Sequence, residues 1–305
     1  MSNIRKPYDI TSANPLYNSI QQAKTTLGKD IINVLVKNPE MIERMTREQP
    51  EAETNFNTIM MRLAAAYGEL GWALIDATEI LDPQSRYDAQ FLLTQASQEP
   101  DKQPDLDSKL AALFSEGNIH RLFTEITEDT QSDDKVLLQH TSEYYRQKRY
   151  YECAMLLASF IDKQNINIAV DDITKNKAKQ GWMAFQDIIA AHYKILYGCT
   201  QATTKTTPTK KDIKDRIIHT VFDEPVDVQT VIAANVTMCM MTLFNDVNWT
   251  ELRAHKIPAS INRHWLAHGM YSYHDVVRAD CIKLLVLAYQ QQQVLPCDDD
   301  AVDIT

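Results

Sequence analysis

The sequence predicts an all-α protein, and three observations lead there. Only seven of its 305 residues are glycine, where average usage of about 7% would supply roughly twenty. Hairpins and tight turns lean on glycine, so an extensive sheet is disfavoured. Apolar residues recur at three-to-four spacing through most of the chain, and no strand-like alternation lasts more than a few residues.

The elements follow in order. Asn14-Pro15 opens a segment with Leu16, Ile20, Ala23, Leu27, Ile31, Ile32, Val34 and Leu35 on one face. A longer helix is predicted from Thr58 to Leu81, carried by Ile59, Leu63, Ala66, Leu70, Leu74, Ile75 and Ile80, and stopped by Asp82-Pro83. Helices are expected over 86–96 and 106–127, the second broken near Gly117, with a loop across 98–104. The polar stretch from Glu128 to Asp134 marks a domain boundary between an acidic helical N-terminal domain, 1–130, and a helical bundle, 135–292. Helical period then returns over 135–148, 150–168, 182–197, 211–221, 228–245 and 275–291. The Thr/Lys-rich stretch 200–211 reads as an exposed loop, Met238, Met240 and Met241 as core filler, and 293–305 as an acidic tail.

Charge is divided unevenly along the chain. The total is -10, but residues 1–140 carry -9 and residues 141–220 carry +5. An acidic protein is a poor non-specific coat for nucleic acid, yet a basic middle keeps an anionic substrate admissible. Neither G-x-G-x-x-G nor G-x-x-x-x-G-K-[ST] occurs, which excludes those two phosphate loops. Five scattered cysteines without a C-x-x-C pair encode neither a zinc finger nor a disulfide framework and suit a reduced, cytoplasmic setting. No apolar run reaches membrane-spanning length, and Met1 to Pro7 lacks the apolar core of a signal peptide.

One constellation carries chemistry. Residues 257–271 read Ile-Pro-Ala-Ser-Ile-Asn-Arg-His-Trp-Leu-Ala-His-Gly-Met-Tyr. Pro258 and Ser260 suit the start of a short helix and Gly269 its end. On that helix His264 and His268 stand at i and i+4, with Arg263 one residue round. Ser272-Tyr273-His274-Asp275 has the form of a capping box for the last helix. Three chemistries are open to the constellation. Two histidines at this spacing can hold zinc, although Trp265 stands where H-E-x-x-H needs glutamate. An Arg–His pair can also serve the fold alone. Finally, imidazole can move the protons of a phosphodiester cleavage while guanidinium stabilises the phosphoryl charge, and this needs no metal.

The stretch Asn262-Arg263-His264-x-x-x-His268-Gly269 resembles the Arg-x4–6-His motif of the HEPN superfamily (higher eukaryotes and prokaryotes nucleotide-binding domain). The match is close to a bacterial subgroup with N-R-H-x-x-x-H-G. Residues 144–168 are similar to the earlier helix pair of such proteins, an aromatic-basic segment leading into an Ala/Leu helix with an acid near its end, here Asp162. The resemblance spans about half the chain.

It implies a HEPN-like bundle that forms a homodimer and acts as a metal-independent endoribonuclease without cofactor, in a toxin, phage-defence or RNA-processing setting. RNA would be the substrate, and an antitoxin or regulatory protein a partner. By residue, the resemblance makes His268 the acid/base and Arg263 the phosphate ligand. His264 or Asn262 would orient the phosphate, and Asp162 would position Arg263 or a histidine. Arg146, Lys148 and Arg149, from the run Tyr144-Tyr145-Arg146-Gln147-Lys148-Arg149-Tyr150-Tyr151, are candidate substrate contacts, since such a run can stack bases and hold phosphates. Tyr271 joins them, one residue later than in the Arg-x4-His-x-Tyr form of toxins paired with a nucleotidyltransferase. The alternative is a non-catalytic HEPN-like helical protein that binds nucleotide, RNA or a protein partner.

Overall fold

A computed structural model describes residues 37, 56–99, 102–130, 132–172, 214–215, 217, 228–245, 250, 253–254, 257–258 and 260–294. Of these, 75% are helical and none lies in a strand, so the all-α class holds for the described residues. The helix expected over 16–35, the helix over 182–197, the loop over 200–211 and the tail beyond 294 lie outside them, as do Trp182 and Trp249.

Among the described residues, the first helix with both ends given, α1 (Phe56–Glu69), is shorter than its apolar period suggests. Gly71 turns left-handed at φ +81°, its N–H donating to the Gly68 carbonyl (2.9 Å) while the Trp72 N–H donates to that of Tyr67 (3.0 Å). This glycine-terminated end satisfies two orphan carbonyls and redirects the chain. The single helix expected from Thr58 to Leu81 is therefore corrected. Leu74, Ile75 and Ile80 are buried, but they enter the core from an irregular segment, not from a helix face. Side chains satisfy that segment's backbone, as a buried non-helical stretch requires. Gln90 Nε2 donates to the carbonyls of Leu74 (2.9 Å) and Ile75 (3.2 Å), and the Ile75 N–H donates to Asn235 Oδ1 (3.2 Å).

Next come α2 (Pro83–Gln98), α3 (Gln103–Ala112) and α4 (Glu116–Glu128). Asp82 caps α2, accepting from the N–H groups of Gln84 and Ser85 at 3.1 Å each. The loop expected over 98–104 is shorter, because α3 already begins at Gln103 with Pro104 in its first turn. The break expected near Gly117 lies instead at 113–115. There Ser115 caps α4 in a reciprocal box with Asn118, and Gly117 sits inside the first turn.

Two antiparallel partners follow, α5 (Ser132–Arg146) and α6 (Tyr150–Asp172). The junction between them repeats the chain reversal seen after α1, with a lysine in the glycine position. Lys148 adopts φ +59°, its N–H donating to the Tyr145 carbonyl and that of Arg149 to the Tyr144 carbonyl, both at 2.9 Å. A β-carbon in this region costs about 1 kcal/mol or more. Lys148→Gly is expected to raise the unfolding free energy by about 0.5–1 kcal/mol, part of the relief being offset by the looser unfolded chain. Urea denaturation followed by helical circular dichroism measures it, and a variant less stable than wild type counts against the strain.

The last three elements are α7 (Val228–Leu243), α8 (Arg263–Ala267) and α9 (Arg278–Val294). α9 is buried continuously from Cys281 to Gln291 and packs against α3, α4, α6 and α7, while α1 lies along α7. A helix covered on all faces is the axis of a core. Met238, Met240 and Met241 are buried there, as expected of filler.

The polar stretch at 128–134 does not divide two cores. Buried residues before it (Trp72, Leu110, Phe123) and after it (Phe160, Val236, Leu285) belong to one cluster. Polar ties also cross it. Arg278 Nη1 and Nη2 donate to the terminal carbonyls of Ala111 (2.5 Å) and Phe114 (2.8 Å), and Gln290 Nε2 donates to the Asp76 carbonyl (2.6 Å). Among the described residues, one buried cluster thus runs across the expected boundary. Its polar residues are part exposed, as Glu128 and Asp129, and part buried and bonded, as Thr130 to the Ile126 carbonyl and Asp134 to Lys163.

Candidate functional site

The Arg-His-x-x-x-His stretch forms the five-residue α8 and its two ends. Asn262 caps it, not Pro258 or Ser260, which corrects the expected helix start. Its Oδ1 accepts from the N–H groups of His264 (2.9 Å) and Trp265 (3.2 Å), and its Nδ2 donates to the Asn245 carbonyl (3.0 Å). The far end closes as the sequence suggests. Gly269 takes φ +63°, its N–H donating to the Leu266 carbonyl (3.1 Å) and that of Met270 to the Trp265 carbonyl (2.9 Å). Trp265 and Leu266 are buried and anchor the turn, with the Trp265 ring 5.5 Å from that of Tyr271.

Anchoring one face turns the other outward. His268 is exposed, and His264 and Arg263 are half-buried. The two imidazoles lie almost parallel, 6.4 Å apart with planes 3° apart. The Arg263 guanidinium forms an ion pair with Asp162 Oδ2 on α6 and lies 5.4 Å from the centre of the Phe244 ring. Residues 101 apart in sequence thus meet, and the sequence-derived pairing of Asp162 with Arg263 is present as a contact. A charged carboxylate partner and an aromatic face together fix a guanidinium plane in one orientation.

The remaining candidates divide. Arg146 and Lys148 are exposed on the α5–α6 junction. Arg149 is tied to Glu152, with Nε–Oε1 at 2.9 Å, and stands 4.5 Å from the centre of the Tyr144 ring. Its partnership with Glu152 strengthens its hold on the proton. Burial works to raise the Glu152 carboxyl, but the bonds from Arg149 and from its own backbone outweigh that and leave it lowered.

Two sequence-derived candidates are buried beneath the turn. Asn262 is buried and its amide is engaged in capping. Tyr271 is buried too. Its hydroxyl accepts the Asn262 N–H (3.0 Å), and burial raises its pKa above the usual phenol value. Both hold the turn in shape from beneath. The expected capping box at 272–275 is half present, since the Ser272 N–H donates to Asp275 Oδ2 (2.6 Å), but α9 starts only at Arg278. Asp280 performs the carboxylate part of the cap there, accepting from the Val277 N–H (2.9 Å).

Several contacts around the turn have no counterpart in the sequence reading. Phe244 and Asn245 end the α7 segment and brace Arg263 and Asn262. Tyr151 donates its hydroxyl to the Leu266 carbonyl (3.4 Å), linking α6 to α8, and its ring stacks on that of Tyr273. No short motif signals these contacts, because each joins segments distant in sequence.

No protein-family model, curated protein or solved structure matches the chain. Among the described residues no helix is long and apolar enough to cross a membrane, and no group of three or more His, Cys, Asp and Glu side chains is arranged to hold a metal ion.

Proposed function

We propose that this protein is a metal-independent endoribonuclease of HEPN type. It works as a homodimer that brings two α8 turns together, in a toxin or phage-defence role in the cytoplasm. The observation that carries this reading is the oriented Arg263, held by Asp162 on the same turn as the outward, parallel His264 and His268. A phosphate placed before this turn meets a fixed cation and a titratable base together.

The chemistry follows from those groups. The His268 imidazole takes the proton of a 2′-hydroxyl, and the freed oxygen attacks the adjacent phosphorus. As that bond forms, the phosphorus–5′-oxygen bond breaks, and the leaving oxygen collects a proton from a protonated imidazole. Arg263 stabilises the charge gathering on the non-bridging oxygens. His264, parallel to His268, helps orient the phosphate. Asp162 is a positioning residue that acts through Arg263. The products are a 2′,3′-cyclic phosphate and a 5′-hydroxyl. Arg146, Lys148 and Arg149 lie along the path of the strand.

The test is cleavage of mixed-sequence RNA in EDTA by the full chain. His268→Ala is expected to lower the rate by about 10²–10⁴, and Arg263→Ala by a similar factor. Asp162→Asn should lower the rate less and leave the cyclic-phosphate end unchanged. Intact RNA after incubation with wild-type protein freed of any co-purifying partner sinks the nuclease reading. A second reading rests on the same ion pair, because Arg263–Asp162 also fastens α8 to α6. In a non-catalytic protein that binds RNA, nucleotide or a protein partner, Arg263→Ala lowers stability and no variant changes a cleavage rate.

A further inference from the structure

We propose that Tyr273, backed by Tyr151, is a stacking platform for an unpaired base of a single-stranded RNA lying across the α5–α6 junction. The proposal rests on the reading of the site as acting on RNA and names the form of RNA it takes. Tyr273 is 49% exposed, which is unusual for a large ring in a chain that buries so many aromatic residues. One side of the ring is nonetheless supported. Its centre lies 6.2 Å from that of Tyr151 with planes 26° apart, and the His274 ring meets its edge at 5.8 Å. Tyr151 is itself fixed by its bond to the Leu266 carbonyl, inside the turn that carries His264 and His268. A ring held on one side and open to water on the other is pre-organised for stacking, because little side-chain freedom remains to be lost on binding.

The surroundings favour a nucleic-acid strand over a protein side chain. Arg149 and its partner Glu152 both lie close enough to Tyr273 to interact with it, and the Arg149 guanidinium faces the Tyr144 ring at 4.5 Å. Exposed Arg146 and Lys148 stand on the same junction. Opposing them are Glu152, which is paired with Arg149, and Glu143, which accepts from Gln147 Nε2 (3.1 Å). Aromatic faces alternating with cations suit unpaired strands, where bases stack while phosphates are neutralised. A duplex keeps its bases stacked on one another and offers none to Tyr273.

The experiment measures fluorescence anisotropy of a labelled single-stranded RNA with 2′-O-methyl riboses, which keeps it intact, and of its duplex. The full-length wild type, Tyr273→Ala and Tyr273→Phe are compared. Tyr273→Ala is expected to weaken single-strand binding about tenfold, within the range that loss of one stacked base produces. Duplex binding should stay the same, and Tyr273→Phe should remain near wild type. Equal single-strand affinity for wild type and Tyr273→Ala overturns the platform, as does equal loss in the alanine and phenylalanine variants. The two proposals fail separately. A protein that binds the strand through Tyr273 but leaves natural RNA intact keeps the platform and loses the nuclease. One that cleaves RNA with undiminished binding in Tyr273→Ala does the reverse.

Discussion

Lys283→Met is expected to cost about 3–5 kcal/mol of folding free energy, the usual penalty for removing one member of a buried ion pair. That is a large part of the roughly 5–15 kcal/mol that holds a typical domain together. Lys283 is 1% exposed in the middle of α9. Its ammonium donates to Asp107 Oδ2 on α3 (2.6 Å) and lies 5.5 Å from the centre of the Trp72 ring, whose Nε1 donates to Asp107 Oδ1 (2.7 Å). One cation, one carboxylate and one indole thus join α9, α3 and the irregular segment after α1. Asp280 stands one turn before Lys283; burial raises its pKa, and the lysine's charge draws it back down. Methionine fills a similar volume but leaves Asp107 charged, buried and without its cation. The cost therefore comes mainly from the abandoned carboxylate, and a second variant separates it from lost packing. Lys283→Met with Asp107→Asn removes both charges and keeps an oxygen acceptor for Trp72 Nε1, so it should recover most of the loss. Urea denaturation of the single and double variants measures the difference. A single variant within about 1 kcal/mol of wild type, or a double variant no better than the single, contradicts this account.

The same residue shows where sequence reading stops. In Cys281-Ile282-Lys283-Leu284-Leu285, nothing in the sequence singles out the lysine, but α9 is surrounded by other helices and buries it. Its partners, Asp107 and Trp72, lie more than 170 positions away, and nothing local announces them. Local signals served better where the physics is local. Gly269 at the end of α8 and the apolar period of α5 and α6 are visible in the sequence and present in the structure, whereas Asp82, read as the stop of the preceding segment, caps the next helix. Apolar period misled at 70–81, because Leu74, Ile75 and Ile80 keep a helical spacing while Gly71 has already ended the helix. At the site, Asn262 had an ordinary cap signature, an asparagine just before a short helix. Its place beside Arg263 and His264 drew a chemical reading instead. The meeting of Arg263 with Asp162 was legible only through the resemblance, since no spacing rule joins a residue of α6 to one of α8 across 101 positions.

Gly68→Ala is expected to destabilise the fold by about 3 kcal/mol or more, at or beyond the upper end for overpacking, since here the backbone itself is in the way. A β-carbon built at Gly68 meets Met238 Cβ at 2.3 Å, the Asn235 carbonyl oxygen at 2.9 Å and the Cys239 nitrogen at 3.0 Å. Two of these neighbours are backbone atoms of α7, so a change of rotamer cannot relieve them. α1 and α7 must move apart, and polar contacts along their seam then stretch together. Asn235 Nδ2 donates to the carbonyls of Ala64 (2.8 Å) and Trp72 (3.1 Å), and Thr242 Oγ1 donates to the Gly68 carbonyl (3.0 Å). Intrinsic propensity points the opposite way, since alanine favours a helix interior over glycine by about 1 kcal/mol. The sign of the effect therefore decides between the two influences. Gly117, in the first turn of α4, provides the control. A β-carbon there meets only Ser115 Oγ at 3.6 Å, an ordinary contact. Gly117→Ala should accordingly leave stability unchanged or raise it slightly, while Gly68→Ala lowers the thermal midpoint by many degrees. Equal midpoints for the two variants would mean that α1 and α7 do not cross as closely as this. A Gly68→Ala loss largely restored by Met238→Gly, which removes the β-carbon at 2.3 Å, would assign the clash to that side chain and not to the α7 backbone.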